Sequence, residues 1–251
     1  MKQYGLIGYP LGHSFSAAWF AQLFEAEGIT DAVYSNFPLA TIEELPALLA
    51  THPDLHGFNV TIPYKEAILP YLTELDPQAA AIGAVNCVKI IRLDNSVILK
   101  GFNTDSWGFE RSLLALIGDS RPTALVLGTG GASRAVGYVL ESLSIPFRKV
   151  SRRAAEQVLS YDELTEEAIR QSPLIVNTSP VGMSPHVDEM PRIPYSAIGR
   201  SHFLYDLIYN PAQTAFLREG RRQGAAVING YAMLVAQAQR SWEIWQESVT
   251  V

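Results

Sequence analysis

The chain of 251 residues has a single cysteine, Cys87, and no run of lysine and arginine. One cysteine excludes an internal disulfide. A net charge of −6 without a basic run argues against nucleic acid or an acidic membrane surface as a partner. No apolar stretch approaches the length that crosses a bilayer. The five histidines lack zinc-ligand spacing, because Pro53 separates His52 from His56. We therefore expect small-molecule ligands and no metal.

Hydrophobic residues make up 48% of the chain and charged residues 18%, which is typical of a globular protein. The length suits one large domain or two smaller ones, each with its own core. The N-terminus passes directly into an apolar strand pattern without the shape of a signal peptide. We therefore expect a cytoplasmic enzyme or binding protein.

A glycine-rich turn lies near the middle of the chain, in the segment 123–135. A short apolar run predicts a buried strand, Gly128, Gly130 and Gly131 form the turn, and a helix is predicted from Ala132 to Leu140. Glycines there allow the backbone to approach a pyrophosphate, which the start of the helix attracts. Ser133 stands at the third fingerprint position, where Gly or Ala is usual. The pattern favours dinucleotide binding, and a turn that binds nothing is the alternative.

The next predicted strand ends in Ser151-Arg152-Arg153, with no carboxylate before Glu156. At this distance from the glycines, an acidic residue normally binds the ribose hydroxyls of NAD, whereas arginine accommodates the 2′-phosphate of NADP. The sequence therefore favours NADP over NAD, and a solvated basic turn is the alternative.

Strand and helix patterns alternate along the chain, which predicts an α/β fold with right-handed crossovers. The first hundred residues read as an α/β unit with mixed strand directions, including a hairpin that turns at Asp94-Asn95. After the glycine loop we predict a parallel sheet, with one helix over 162–170 between its strands. The final helix, about 231–247, is expected to pack back on the first domain.

Lys65 and Asp105 each follow a predicted strand, at the end where open α/β sheets bind ligands. A lysine in a first helical turn is usually a surface charge, and Asp105 would also serve as a helix cap. The same segments contain further polar residues, for which ordinary turn residues are the alternative interpretation: Asn59, Thr61, Asn86 and Thr104. Spacing alone leaves these alternatives open.

A set of motifs along the whole chain decides between them. In chain order they lie at 13–16, 57–65, 83–86, 101–105, the glycine loop, 151–153, 177–183, 205–211 and 229–237. With these motifs the chain resembles the shikimate dehydrogenase family, whose members reduce 3-dehydroshikimate to shikimate with NADPH. The resemblance implies a substrate-binding domain over 1–103, completed by 230–251. It also implies a Rossmann domain over 104–229 that binds NADP, and an active site in the groove between the two domains.

The resemblance also implies roles for individual residues. Lys65 and Asp105 would be the catalytic pair at the substrate carbonyl. The expected substrate-binding residues are Ser14, Ser16, Asn59, Thr61, Asn86, Tyr209 and Gln237. The expected cofactor-binding residues are Gly128, Thr129, Gly130, Gly131, Ala132, Ser133, Ser151, Arg152, Arg153, Asn177, Thr178, Met183, Leu207 and Gly230. The expected partners are shikimate and 3-dehydroshikimate, in a monomer or homodimer.

The chain departs from the family pattern at 17–20, where Ala-Ala-Trp-Phe replaces the usual Pro and His-Asn, and at Thr129, where Ala is commoner. Two alternatives follow from the same resemblance. One is a quinate or quinate/shikimate dehydrogenase, which often prefers NAD. The other is a sensor that has lost catalysis, although this chain retains Lys65 and Asp105.

Overall fold

The computed structural model describes residues 1–12, 15–93 and 96–247. Contacts divide the chain into two compact units, one of Met1–Thr104 with the C-terminal residues from Ala238, the other of Asp105–Gln237. The sequence analysis expects a substrate-binding domain over 1–103 with 230–251 and an NADP-binding domain over 104–229, and these domain limits stay a prediction. None of the described helices is long and apolar enough to span a membrane.

The first unit alternates strands and helices and ends in a hairpin. Its elements are β1 (Lys2–Gly8), α1 (Phe15–Ala26), β2 (Ala32–Pro38), α2 (Leu45–Thr51), β3 (Leu55–Val60), α3 (Tyr64–Ala67), β4 (Glu74–Leu75), α4 (Pro77–Ile82), β5 (Cys87–Leu93) and β6 (Ser96–Phe102). Helix α4 shows how local sequence sets the limits. Asp76 accepts a hydrogen bond from the Gln78 N–H at 2.9 Å, Pro77 opens the helix, and Gly83 ends it at φ 69°.

The sheet of the first unit has the order β2-β1-β3-β5-β6-β4. The β1–β2, β1–β3 and β4–β6 pairs are parallel, and the two pairs made by β5 are antiparallel. This confirms the mixed strand directions predicted from the sequence. The predicted turn of the β5–β6 hairpin, Asp94-Asn95, lies outside the described residues.

The second unit contains the predicted parallel sheet. Its elements are α5 (Thr104–Ile117, with Thr104 itself in the first unit), β7 (Ala124–Leu127), α6 (Gly131–Ser142), β8 (Phe147–Ser151), β9 (Val158–Ser160), α7 (Glu166–Arg170), β10 (Leu174–Asn177), β11 (Phe203–Asp206), α8 (Ala215–Arg222), β12 (Ala226–Ile228) and α9 (Tyr231–Gln246). The strand order is β12-β11-β10-β7-β8-β9, and every pairing is parallel. The order reverses between β7 and β10, where doubly wound sheets bind ligands. The Rossmann-type architecture is confirmed.

Helix α9 begins in the second unit and ends in the first. Its later residues Ala238, Ile244 and Trp245 are buried with Tyr4 and Phe20 in one apolar cluster. The Trp245 indole donates to the carbonyl of Val88 at 3.0 Å. The predicted return of the last helix to the first domain is therefore confirmed.

One prediction of secondary structure was wrong in detail, and one strand was not predicted. The helix expected over 162–170 is the shorter α7, because Thr165 caps it by accepting a hydrogen bond from the Ala168 N–H at 3.2 Å. Strand β9 was not predicted, since its three residues form a short edge pairing with β8.

Candidate functional site

Asn59, in β3, is the centre of a buried polar network in the first unit. Its Oδ1 accepts a hydrogen bond from the Tyr34 hydroxyl at 2.9 Å. Its Nδ2 donates to the Asn86 carbonyl at 3.2 Å and to Ser241 Oγ at 2.8 Å. Both amide hydrogens of Asn59 therefore have protein acceptors. We call Ser16, Tyr34, Asn59, Asn86, Thr104 and Ser241 the Asn59 network.

Asn86 connects this network to the start of helix α5. Its Oδ1 accepts from the backbone N–H of Thr104 at 2.6 Å, and its Nδ2 donates to Thr104 Oγ1 at 3.0 Å. Thr104 Oγ1 lies 3.2 Å from Ser241 Oγ. The next residue, Asp105, is 7% exposed and lies in the first turn of α5, where the helix dipole favours a carboxylate. The Asn86 side chain thus fixes the backbone that presents Asp105.

Of the two predicted substrate serines, Ser16 lies at the start of α1. Ser16 is half-buried, and its side chain hydrogen-bonds with the Tyr34 hydroxyl. Burial raises the pKa of Tyr34 well above its ordinary value, so this phenol stays protonated and donates to Asn59. Ser16 is therefore linked to Asn59 through one tyrosine. Ser14 lies outside the described residues.

Lys65 is half-buried in α3, directly after β3. The Thr61 N–H donates to the Ile7 carbonyl at 2.9 Å, and the Lys65 carbonyl accepts from the Val85 N–H at 2.8 Å. Since Val85 precedes Asn86, one backbone hydrogen bond joins the Lys65 turn to the Asn59 network. Thr61, Lys65 and Asn86 therefore lie at neighbouring positions of the first unit.

In the second unit, the glycine loop follows β7 at the point where the strand order reverses. Gly128 has φ 125°, and a Cβ there would lie 2.5 Å from Thr178 Oγ1. Around a Cβ placed on Gly130 there is open space, and helix α6 begins at Gly131. The first N–H groups of a helix lack partners within it and attract anions. This arrangement fits a pyrophosphate next to Thr129, Gly130 and Gly131.

Ser133, at the third fingerprint position, faces the interior. Its hydroxyl is fully buried and has no hydrogen-bond partner among the described residues, whereas Ala132 before it is half-buried. The third position serves close packing of the helix against the sheet, which explains the burial. Because the side chain is buried, any cofactor contact of Ser133 would come from its backbone.

The basic turn Ser151-Arg152-Arg153 leaves the sheet beside the glycine loop. Strands β7 and β8 are parallel neighbours, with Leu127 opposite Val150, and the Gly128 N–H donates to the Val150 carbonyl at 2.8 Å. Ser151 is half-buried, and both arginines are exposed. Arg152 and Arg153 thus directly follow β8, the strand next to the one that leads into the glycine loop.

The remaining predicted cofactor residues follow the other strands of the same sheet edge. Asn177 ends β10, and Thr178 Oγ1 donates to the Leu127 carbonyl at 2.9 Å. Met183 is 45% exposed, and Gly230 packs so closely on Leu207 that a Cβ there would overlap its carbonyl oxygen. The ends of β7, β8, β10, β11 and β12 therefore carry all the predicted cofactor residues.

Tyr209 and Gln237 were expected to bind substrate, and both belong to the second unit. Tyr209 is 38% exposed, and burial raises its pKa. Gln237 is 7% exposed, and its Nε2 donates to the Leu234 carbonyl of its own helix at 2.9 Å. The binding roles of both side chains stay predictions.

Three buried residues with central positions were missed in the sequence: Tyr34, Ser241 and Asp206. Ser241 follows Gln237 by four residues, so helical spacing placed it on the same face of α9. Tyr34 had no local signal, because its partners come from other elements. Among the described residues, no cluster of three metal-ligating side chains occurs.

Comparisons with known proteins extend over nearly the whole chain. Residues 6–88 match the family model of the shikimate dehydrogenase substrate binding domain. A shikimate dehydrogenase (NADP(+)) of Methanococcus maripaludis is 39% identical, over 97% of this chain and 91% of the relative. The crystal structure of Thermus thermophilus shikimate 5-dehydrogenase in complex with NADP(H) and shikimate has a TM-score of 0.85. It is 33% identical, over 98% of this chain and 94% of that one.

A related activity has the same fold. Quinate dehydrogenase from Corynebacterium glutamicum, in complex with NAD, also has a TM-score of 0.85, at 27% identity over 98% of this chain and 93% of that one. The fold therefore does not separate the two activities, and the separation depends on residues of the site.

Proposed function

The chain belongs to the shikimate dehydrogenase family, and we propose that it catalyses the reversible NADPH-dependent reduction of 3-dehydroshikimate to shikimate. The observation that carries the proposal is a 39% identity to an NADP(+) shikimate dehydrogenase over almost the full length of both chains. The exposed Arg152 and Arg153 beside the glycine loop support NADP over NAD.

The proposed cofactor site is the carboxyl edge of the second sheet. Backbone groups of Gly128 to Ser133 would bind the pyrophosphate, and Arg152 would bind the 2′-phosphate. The nicotinamide would lie beside the loops that carry Met183, Leu207 and Gly230. NADPH, when bound, supplies the hydride that reduces the carbonyl carbon.

The proposed chemistry of the chain is proton transfer at the substrate oxygen. As the carbon–hydrogen bond forms, the carbonyl electron pair moves to the oxygen, which then needs a proton. Lys65 would donate that proton from its ammonium group, and its neutral amine would take it back in the oxidation of shikimate. Asp105 would share the proton network of the reacting hydroxyl.

The Asn59 network would organise the substrate side. Ser16, with Ser14, would bind the substrate carboxylate, and Asn86 and Gln237 would bind ring hydroxyls. Because both Asn59 amide hydrogens already have protein acceptors, we propose that Asn59 holds Asn86 and Ser241 in place. Donation from the Asn59 amide nitrogen to the ring would require one of these bonds to break, whereas its Oδ1 accepts one bond, from Tyr34, and has a second lone pair for a ring hydroxyl.

Two further properties belong to the proposal. We propose a cytoplasmic location, in keeping with a single cysteine that is buried. We propose a monomer or a homodimer as the active form.

Steady-state assays with shikimate and quinate, each with NADP⁺ and NAD⁺, test the function. We expect the highest kcat/KM with shikimate and NADP⁺, and Lys65→Ala serves as the inactive control. Preference for quinate with NAD⁺ would identify a quinate dehydrogenase. Binding of shikimate without turnover in any combination would identify a sensor.

A further inference from the structure

Asp206, the last residue of β11, is fully buried and accepts hydrogen bonds on both carboxylate oxygens. Its Oδ1 accepts from Asn177 Nδ2 at 3.0 Å and from the Ile208 N–H at 3.1 Å. Its Oδ2 accepts from Thr214 Oγ1 at 2.6 Å. One side chain thus joins the ends of β10 and β11 to the residue that caps α8.

The bond to Asn177 sets the shape of the loop after β10. A carboxylate only accepts, so the amide nitrogen of Asn177 faces Asp206 and its oxygen faces the loop. That oxygen accepts from the Ser179 N–H at 3.1 Å and from Ser179 Oγ at 2.7 Å. Asn177 Nδ2 also donates to the Val181 carbonyl at 3.4 Å. The backbone leading to Met183 is therefore held by an amide whose orientation Asp206 decides.

The bond to Ile208 sets the turn after β11 in the same way. The Ile208 carbonyl accepts from the Gly230 N–H at 3.1 Å, and Gly230 packs on the Leu207 backbone without room for a side chain. A shift of the Leu207–Ile208 turn would therefore move the loop after β12. Three consecutive loops at one sheet edge depend on one carboxylate.

We propose that Asp206 is a positioning residue that fixes the loops carrying Met183, Leu207 and Gly230 for the nicotinamide half of NADP. The inference rests on the proposed function, and it assigns Asp206 no contact with cofactor or substrate. Asn177, expected from the sequence to bind the cofactor, acts in the same network, since Ser179, Val181 and Asp206 occupy its side chain.

The burial of the Asp206 carboxylate supports a role in which both of its oxygens accept hydrogen bonds. Removal from water raises the pKa of Asp206 to about 6, and the three hydrogen bonds oppose that rise. A buried charge is costly. Asp206 offers acceptors in two directions, which a neutral amide with one oxygen does not.

The test compares two ligands of the full chain by calorimetry. NADPH contains both halves of the cofactor, and adenosine 2′,5′-bisphosphate contains the 2′-phosphate half without nicotinamide. For Asp206→Ala we expect the Kd of NADPH to rise about tenfold or more, the effect of losing hydrogen bonds to a charged group. We expect the Kd of adenosine 2′,5′-bisphosphate to change less than about twofold, because the glycine loop and Arg152 remain in place.

Two further variants separate positioning from stability. Tyr205→Phe removes a buried hydrogen bond to Ser112 from the neighbouring residue of the same strand. It should lower Tm and leave both Kd values unchanged. Asp206→Asn keeps the size of the side chain but only one acceptor oxygen, so we expect about a threefold or larger rise in the Kd of NADPH alone.

Equal losses for both ligands, or unchanged NADPH affinity in Asp206→Asn, would overturn the inference. A wild-type chain that binds neither ligand would instead contradict the proposed function.

Discussion

Ser241→Ala removes the hydroxyl that joins helix α9 to the Asn59 network. In the wild type, Ser241 Oγ accepts from Asn59 Nδ2 at 2.8 Å and lies 3.2 Å from Thr104 Oγ1. Ser241 is fully buried, so water does not replace the lost acceptor. The substitution therefore affects two side chains, Asn59 and Thr104, that hold Asn86.

The magnitude follows from the donor that is left behind. A buried donor without a partner costs about 1–3 kcal/mol, and each kcal/mol lowers Tm by about 2–4 °C for a chain of this size. If about 1 kcal/mol of this cost appears in substrate binding, the KM for shikimate rises about fivefold. The KM for NADP⁺ should stay unchanged, because the cofactor residues belong to the other unit.

Ser112→Ala is the matched control in the second unit. Its hydroxyl is likewise buried, hydrogen-bonded to the Tyr205 hydroxyl at 2.6 Å and to the Gly108 carbonyl at 2.7 Å. This variant should lower Tm and leave the KM for shikimate unchanged. A Ser241→Ala variant with lower Tm but an unchanged KM for shikimate would refute the reasoning. So would an equal rise in both KM values.

The other predictions concern single groups. Lys65→Ala should lower kcat by about two to four powers of ten with little change in shikimate affinity by calorimetry, and Asp105→Asn should act similarly. The double variant should lose much less kcat than the product of the two single losses. Near-native turnover in folded Lys65→Ala would falsify the catalytic role of Lys65. Arg152→Ala should weaken NADPH binding by about 1.5–3 kcal/mol without affecting NADH, and equal losses would show that Arg152 does not discriminate. Ser133→Ala should raise the free energy of unfolding by about 1–2 kcal/mol, since it removes a buried hydroxyl without a partner; destabilisation in urea would contradict this. The pKa of Asp206 rises from 3.8 unfolded to about 6 folded, so its protonated form stabilises the fold at low pH and that contribution is lost as pH rises through 6. Asp206→Asn should therefore gain about 2 kcal/mol of stability relative to wild type as the pH rises from 4 to 7. A pH-independent difference would contradict the raised pKa of Asp206, next to which Tyr195 is a titratable group.

Much of the fold was predictable because its signals are local. Helical periodicity predicted the last helix at about 231–247, and α9 spans Tyr231–Gln246. The glycine-rich turn predicted a helix from Ala132 to Leu140, which lies within α6 (Gly131–Ser142). Edge strand β9 escaped prediction because three residues carry no periodicity that separates a strand from a turn.

The identity of many site residues was predictable, but the hydrogen bonds that fix them were not. Motifs identified Asn59 and Asn177 as functional, but their hydrogen bonds to other protein groups depend on tertiary contacts that no local pattern contains. Ser241 lies 182 residues after Asn59, and Tyr34 and Asp206 likewise join elements that are distant in sequence. Motifs therefore identified important residues, including Asp206 in the segment 205–211, but which of them hold other residues in place emerges from the structure.

The most direct test of the proposed function follows the hydride itself. NADPH carrying deuterium at both hydrogens of nicotinamide C4 is incubated with the chain and 3-dehydroshikimate, and the product is analysed by mass spectrometry. We predict shikimate that carries one deuterium on the former carbonyl carbon. Formation of unlabelled shikimate, or of no shikimate at all, would contradict the proposed function.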